Sequence, residues 1–92
     1  MHTEYDTQKD AVNLQKHGVS LALAREIDWS AVLCHVDSRA DYNEVREVGY
    51  TLIDRRLYSV VFVQRGETMR IISLRKANSR EVKHYETAIQ SQ

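Results

Sequence analysis

The segment RIISLRKANSREVKHYE, residues 70–86, concentrates bases where an apolar strand gives way to a helix. Arg75 and Lys76 end the predicted strand, and Arg80 falls in the first turn of the helix. A helix start carries partial positive charge, so a base there costs roughly 0.3–1 kcal/mol unless an anion compensates it. Backbone N–H groups at that point favour an anion, and arginine adds paired donors suited to phosphate. The segment therefore predicts a phosphate-binding site.

An ion pair could explain the same bases without a ligand. Glu44, Glu47 or an acid near the C-terminus could neutralise them, and residue types alone leave both readings open. Strand geometry adds a constraint, because Arg70 and Arg75 are five positions apart and a regular strand would point them to opposite faces. Either a bulge realigns the two side chains or they have different roles. Arg46, on an earlier strand, could meet one of them across the sheet.

Residue types that bind metals or form covalent intermediates are sparse. The four histidines show no pair at helical ligand spacing, and Cys34 is the single cysteine. No glycine-rich phosphate loop or nucleophile motif is present. We therefore expect no metal site and no cofactor, and any catalysis would rest on charge, positioning and proton transfer. RNA suits such a site because its own 2′-OH supplies the nucleophile.

Two histidines are of interest for proton transfer. His17 lies in the turn KHGVS, where a structural hydrogen-bonding role is favoured over a catalytic one. His84 lies on the polar side of the last predicted helix, one turn beyond Arg80.

Local signals predict three helices. Asp6 and Ser20 are suited to cap helices over about residues 9–16 and 21–27, with Gly18 closing the first. Asn78, followed by Glu81 three residues later, predicts a capping box at the start of a helix over residues 79–90. Its apolar stripe should pack on a sheet.

Four apolar runs predict strands. They are AVLCHV, VREVGYTL, LYSVVFVQR and TMRIISLR, and the polar loop DSRADYNE separates the first two. Short connections indicate an antiparallel meander, and the last two runs are apolar at both parities, which is typical of central strands. The predicted fold class is α+β in one domain, residues 1–92, with two N-terminal helices, a four-stranded antiparallel sheet and a C-terminal helix.

Charge is distributed unevenly along a chain of zero formal net charge. The first fifty residues hold five bases and nine acids, whereas the remainder holds eight bases and four acids. Such asymmetry suggests an anion-binding face, although the two halves could also neutralise each other. No apolar run approaches a membrane span, the polar N-terminus has no signal-peptide pattern, and a single cysteine suits a reducing cytosol.

Three blocks of the sequence resemble BrnT toxins, the RelE-like ribonuclease half of bacterial type II toxin–antitoxin pairs. The blocks are YDTQKDAVNLQKHGVSLALA, DSRADYNEVREVG and RGETMRIISLRKANSREVKHYE, and they cover most of the chain. The resemblance implies a RelE-like fold and a cytoplasmic endoribonuclease that arrests translation. It also implies a BrnA-type antitoxin whose ribbon-helix-helix part binds operator DNA, so that this chain reaches DNA only through its partner.

The resemblance also carries roles for individual residues. It implies catalytic roles for Lys9, Arg46, Arg70, Arg75 and Arg80, and less directly for Glu81, His17 and Tyr85. Lys76, Lys83 and His84 are predicted RNA contacts beside that set. The competing prediction is a catalytically weak RNA- or protein-binding module with the same fold and partner, because phosphate binding needs the arginines as much as catalysis does.

Overall fold

The computed structural model describes residues 1–37 and 44–91 and has the predicted α+β class. The predicted loop DSRADYNE lies mostly outside the described residues. The helices are α1 (Thr7–His17) and α2 (Ser79–Gln90), with 3₁₀ segments at Leu21–Glu26 and Trp29–Ala31. The strands are β1 (His2–Glu4), β2 (Leu33–Val36), β3 (Glu47–Ile53), β4 (Arg56–Arg65) and β5 (Thr68–Lys76).

The prediction of a four-stranded sheet is wrong, because it omitted the strand β1. Among the described residues the sheet has five strands in the order β1-β5-β4-β3-β2, and β1 pairs in parallel with β5. Strands β2 to β5 form the predicted antiparallel meander in sequence order. No sequence pattern marks β1, because three residues are too few to show an alternation of apolar and polar side chains.

The second predicted helix is a 3₁₀ segment. Leu21, Ala24 and Ile27 are buried three residues apart, which matches the three-residue turn of a 3₁₀ helix. At its start the Asp10 carboxylate accepts hydrogen bonds from the Ser20 hydroxyl at 3.0 Å and from the Leu21 N–H at 2.7 Å. These bonds tie the segment to α1.

The caps of both α-helices are confirmed. Asp6 accepts from the Gln8 N–H at 2.7 Å, and Gly18 ends α1 in the left-handed conformation with φ of 71°. Asn78 and Glu81 form the capping box of α2. The caps hold because each depends on contacts within a few residues.

The hydrophobic core covers one face of the sheet, here called the core face. Val60, Phe62, Ile71 and Leu74 lie on that face against Leu21, and all five are almost fully buried. The opposite face, called the open face, carries Tyr50, Ser59, Ser73 and Arg75, among others. Helix α1 contacts the sheet at its β5 side.

A bulge in β5 decides the direction of the two arginines. Val61 pairs with Ser73 and Phe62 pairs with Ile71, so Ile72 is an extra residue in the strand. Arg70 is therefore opposite Val63 and Arg75 opposite Ser59, two positions of equal parity on β4. Both arginines therefore lie on the open face, so a bulge realigns the two side chains as one of the two predicted alternatives proposed.

Helix α2 lies on the open face with a shallower contact than predicted. Val82 and Tyr85 are half-buried, Ile89 is 44% exposed, and no residue of the helix is fully buried. The Tyr50 hydroxyl donates to Glu81 at 3.0 Å and joins the helix start to the sheet. The apolar stripe therefore contacts the sheet along only part of its length.

Asn13 attaches α1 to the unpaired part of the β5 edge. Its side chain is buried, and its amide donates to the carbonyls of Val19 at 2.8 Å and Leu74 at 2.7 Å. Its carbonyl oxygen accepts from the Leu74 N–H at 3.3 Å. Strand β1 pairs with β5 only as far as Arg70. Beyond that point, the Asn13 side chain supplies the hydrogen-bond partner that a neighbouring strand would otherwise provide for the backbone of Leu74.

We expect Asn13→Ala to lower the free energy of unfolding by about 2–4 kcal/mol, because it leaves buried backbone groups without partners. Urea denaturation monitored by circular dichroism measures the change. Gln15→Ala, at an exposed position of the same helix, should change stability by about 0.5 kcal/mol or less. Equal stability of the two variants would contradict the assigned role of Asn13.

Candidate active site

A cavity of about 420 Å³ opens on the open face of the sheet. Side chains from the end of α1, from strands β2 to β5 and from the start of α2 line it. Its lining includes Lys16, His17, His35, Asp37, Tyr50, Ser59, Ser73, Arg75 and Glu81. A concave site with convergent polar groups is the usual form of a small-ligand or substrate site.

An arginine–glutamate pair forms the wall of this cavity beside α2. Arg75 Nη1 and Nη2 donate to Glu81 Oε1 and Oε2, each at 2.8 Å. The Glu81 carboxylate also accepts from the Asn78 N–H at 2.9 Å and from Tyr50 Oη at 3.0 Å. Of the two explanations for the basic cluster, the ion pair is therefore present, and its acid is Glu81.

Glu81 is held in its ionised form by these donors. The Arg75 hydrogen bonds are the main cause, and the pKa of the Glu81 carboxyl falls to about 2. Burial, followed by the hydrogen bond to Glu81, raises the pKa of Tyr50, so its phenol keeps its proton at neutral pH. A carboxylate with so low a pKa is a poor proton acceptor, so Glu81 is suited to orienting Arg75 and Tyr50.

His17 brings a neutral imidazole to the same cavity. It is half-buried at the end of α1, beyond which Gly18 turns the chain. Burial is the first cause that lowers the pKa of His17 below its usual 6.5, and the charges of Lys16 and Arg75 add to it. At neutral pH the ring can therefore accept a proton beside a fixed guanidinium.

The predicted site residues divide into groups. Arg75 and Glu81 line the cavity, whereas Lys9 lies in an adjoining groove that shares Lys16, His17 and Ser73 with it. Arg80 and His84 line a separate cleft between α2 and the sheet, and Lys76 and Lys83 are exposed.

Arg70 and Arg46 lie toward the other end of the sheet. Arg70 Nη1 is 3.3 Å from Glu4 Oε1, and Arg65 forms two hydrogen bonds to Glu44. The pKa of Glu44 is lowered chiefly by the Arg65 hydrogen bond, with smaller effects from the charges of Arg70 and Arg46. Arg70 and Arg75 are five positions apart along β5, roughly 13–16 Å, so these arginines are not brought into one cluster.

Sequence reasoning missed most of the cavity lining, including Lys16, His35, Tyr50 and Ser59. His35 and Tyr50 stack with ring centroids 6.4 Å apart and an interplanar angle of 26°. Both lie in runs that the alternating pattern identifies only as strand. No local signal marks them, because the strand register brings them to the site.

Within residues 1–37 and 44–91, no group of three or more histidine, cysteine, aspartate or glutamate side chains could hold a metal ion. No helix in the described part of the chain is long and apolar enough to cross a membrane.

Comparison with known proteins gives a family and a fold. No curated protein sequence matches the chain. A solved structure, that of the Brucella abortus ribonuclease toxin BrnT, is similar with a TM-score of 0.61 and 22% identity over 86% of this chain and 100% of that chain. A family described as the ribonuclease toxin BrnT of type II toxin–antitoxin systems matches residues 5–81. With that match over most of its length, the chain belongs to the BrnT family of ribonuclease toxins.

Proposed function

We propose that this chain is a metal-independent endoribonuclease whose active site is the cavity around Arg75 and His17. The observation that carries the proposal is that one cavity is lined by a guanidinium held by Glu81 and by the half-buried imidazole of His17, whose pKa is lowered by burial. Phosphodiester cleavage by a neighbouring hydroxyl requires these two properties, a proton acceptor and a fixed cation. The family match independently supports RNA as the substrate.

In the proposed reaction, the 2′ oxygen of one nucleotide attacks the adjacent phosphorus atom. Its proton passes to the imidazole of His17 as the new P–O bond forms. Arg75 and Lys16, which line the same cavity, stabilise the charge that grows on the phosphoryl oxygens. The bond from phosphorus to the 5′ oxygen breaks, and that oxygen takes a proton from His35 or Tyr50, which also line the cavity. The products are a 2′,3′-cyclic phosphate and a free 5′-OH.

Glu81 has a positioning role in this account. Its carboxylate receives both terminal nitrogens of Arg75 and is itself fixed by the capping box of α2. This arrangement orients the guanidinium before substrate arrives, which is how electrostatic preorganisation lowers a barrier. Lys9 in the adjoining groove and the more distant Arg46 and Arg70 are proposed to contact the phosphates of flanking nucleotides.

We expect the purified protein to cleave single-stranded RNA in the presence of EDTA, because its described residues offer acid–base groups and cations in place of a metal site. Gel analysis of a labelled RNA after incubation with EDTA measures this. The Arg75→Ala protein, purified in parallel, controls for contaminating nucleases. Complete loss of cleavage on chelation, restored by a divalent ion, would contradict metal independence. An intact protein that binds RNA without cleaving it would support the alternative of a catalytically weak binding module.

The family match also supports a cytoplasmic role in which the toxin arrests translation and an antitoxin neutralises it. The proposed partner is of the BrnA type, with a ribbon-helix-helix part that binds operator DNA. We expect expression of the chain alone to arrest bacterial growth and co-expression of the neighbouring gene to relieve the arrest. Growth that continues when the soluble toxin alone accumulates would contradict this role.

A further inference from the structure

A second cleft adjoins the proposed active site and has no role in the reaction described above. It lies between α2 and the β2–β3 edge of the sheet and has a volume of about 370 Å³. Leu33, Tyr85 and Ala88 give it half-buried apolar walls, and Arg80 and His84 stand on the α2 side.

The cleft shares a wall with the active-site cavity. His35, Tyr50 and Glu81 line both spaces, so a ligand that spans the two would pass over the stacked rings of His35 and Tyr50. A phosphate beside Arg75 would therefore have its attached nucleoside within reach of the cleft. The shared residues connect the cleft with the substrate of the proposed reaction.

We propose that the cleft holds the unpaired nucleobase next to the scissile phosphate and thereby contributes to substrate choice. This inference rests on the proposed function. Unpaired bases are recognised by stacking on aromatic rings and guanidinium planes and by hydrogen bonds to their edges. Tyr85, Tyr50 and the imidazoles supply rings, and Arg80 supplies a guanidinium that suits the acceptor edge of guanine.

This role explains why Arg80 lies apart from Arg75 although both were predicted phosphate ligands. Arg80 is exposed and lines the cleft, and it is not part of the active-site cavity lining. The competing occupant is an apolar side chain of the protein partner. The ring pair shared with the active site favours a nucleobase, and the experiment below separates the two.

The test measures RNA binding without cleavage. Hexamers of 2′-fluoro RNA, one for each base, lack the nucleophile, and an abasic hexamer carries the same phosphates without bases. Wild-type protein should bind at least one base-bearing hexamer about 5–150-fold more tightly than the abasic chain, the range that one stacked base provides. Ala88→Phe fills the cleft and should abolish this preference, and Tyr85→Leu should reduce it. The matched control is Ile89→Phe, which installs the same ring one position outside the cleft and should keep the preference.

A preference that survives in Ala88→Phe, or is absent from the wild type, would overturn the proposal. So would an Ala88→Phe protein that binds RNA normally and fails to bind the antitoxin, because the cleft would then belong to the protein partner. Melting temperatures show that each variant is folded. A wild-type protein that shows the base preference but leaves unmodified RNA intact would refute the nuclease proposal and retain the base cleft.

Discussion

Replacement of Arg75 by alanine should slow RNA cleavage by about 10²–10³-fold, the effect of removing one preorganised donor from a developing oxyanion. The phosphoryl oxygens gain charge in the transition state, so the guanidinium contributes more to the barrier than to substrate binding. The loss should therefore appear mainly in kcat. Folding should survive, because Arg75 is 37% exposed and Glu81 keeps its hydrogen bonds from Tyr50 and Asn78. Single-turnover cleavage and melting temperature measure the two effects.

Two further variants sharpen this test. Arg75→Lys keeps the charge but loses the paired geometry, and it should recover only part of the rate. Arg25→Ala removes an exposed arginine from the 3₁₀ segment on the core side of the sheet and should cleave at the wild-type rate. Full activity in Arg75→Ala would refute the phosphate site, and a collapsed melting temperature would make the arginine structural.

Replacement of His17 by alanine should slow cleavage by about 10²–10⁴-fold, the usual contribution of a general base. The pH dependence gives a more specific expectation. The pKa of His17 is lowered, so the ring loses its proton at a lower pH than an ordinary histidine does. It becomes an active base as pH rises through that pKa. Wild-type kcat/KM should therefore rise with pH along an acid limb whose midpoint is below 6.5. The variant should lack this limb.

His2→Ala is the matched control, because His2 is an exposed histidine on β1 and does not line the cavity. It should retain both the rate and the acid limb. An unchanged acid limb in His17→Ala would assign the proton acceptor elsewhere. Lost activity together with a large fall in melting temperature would return His17 to the structural role that its turn sequence first indicated.

The features predicted correctly from sequence depend on short-range chemistry. Asp6, Ser20 and Asn78 cap their segments through side-chain contacts two or three residues away, so the local sequence is sufficient. The four-strand meander followed from long β-branched runs. Strand β1 and the attachment through Asn13 were missed because their partners in β5 lie more than sixty residues away.

The candidate site was predictable in its centre only. The basic residues around Arg75 indicated the correct strand end. The acid that pairs with Arg75 is Glu81, six residues further along the chain. Tyr50 and His35 reach the site through strand register, which no single-sequence pattern specifies. Arg70 and Arg75 point to the same face because of the bulge at Ile72. Their spacing in the sequence indicated that a bulge was one of two alternatives but could not show which one is present.

The chemistry of the RNA ends tests the central claim most directly. A 5′-labelled RNA of defined sequence is cleaved by the wild-type protein in EDTA, and the termini are identified by mass spectrometry. Attack by the 2′-OH predicts 2′,3′-cyclic phosphate or its hydrolysed monophosphate on one fragment and 5′-OH on the other, with no cleavage at a position that carries a 2′-deoxy nucleotide. Fragments with 5′-phosphate and 3′-OH ends, or cleavage at the 2′-deoxy position, would contradict the account.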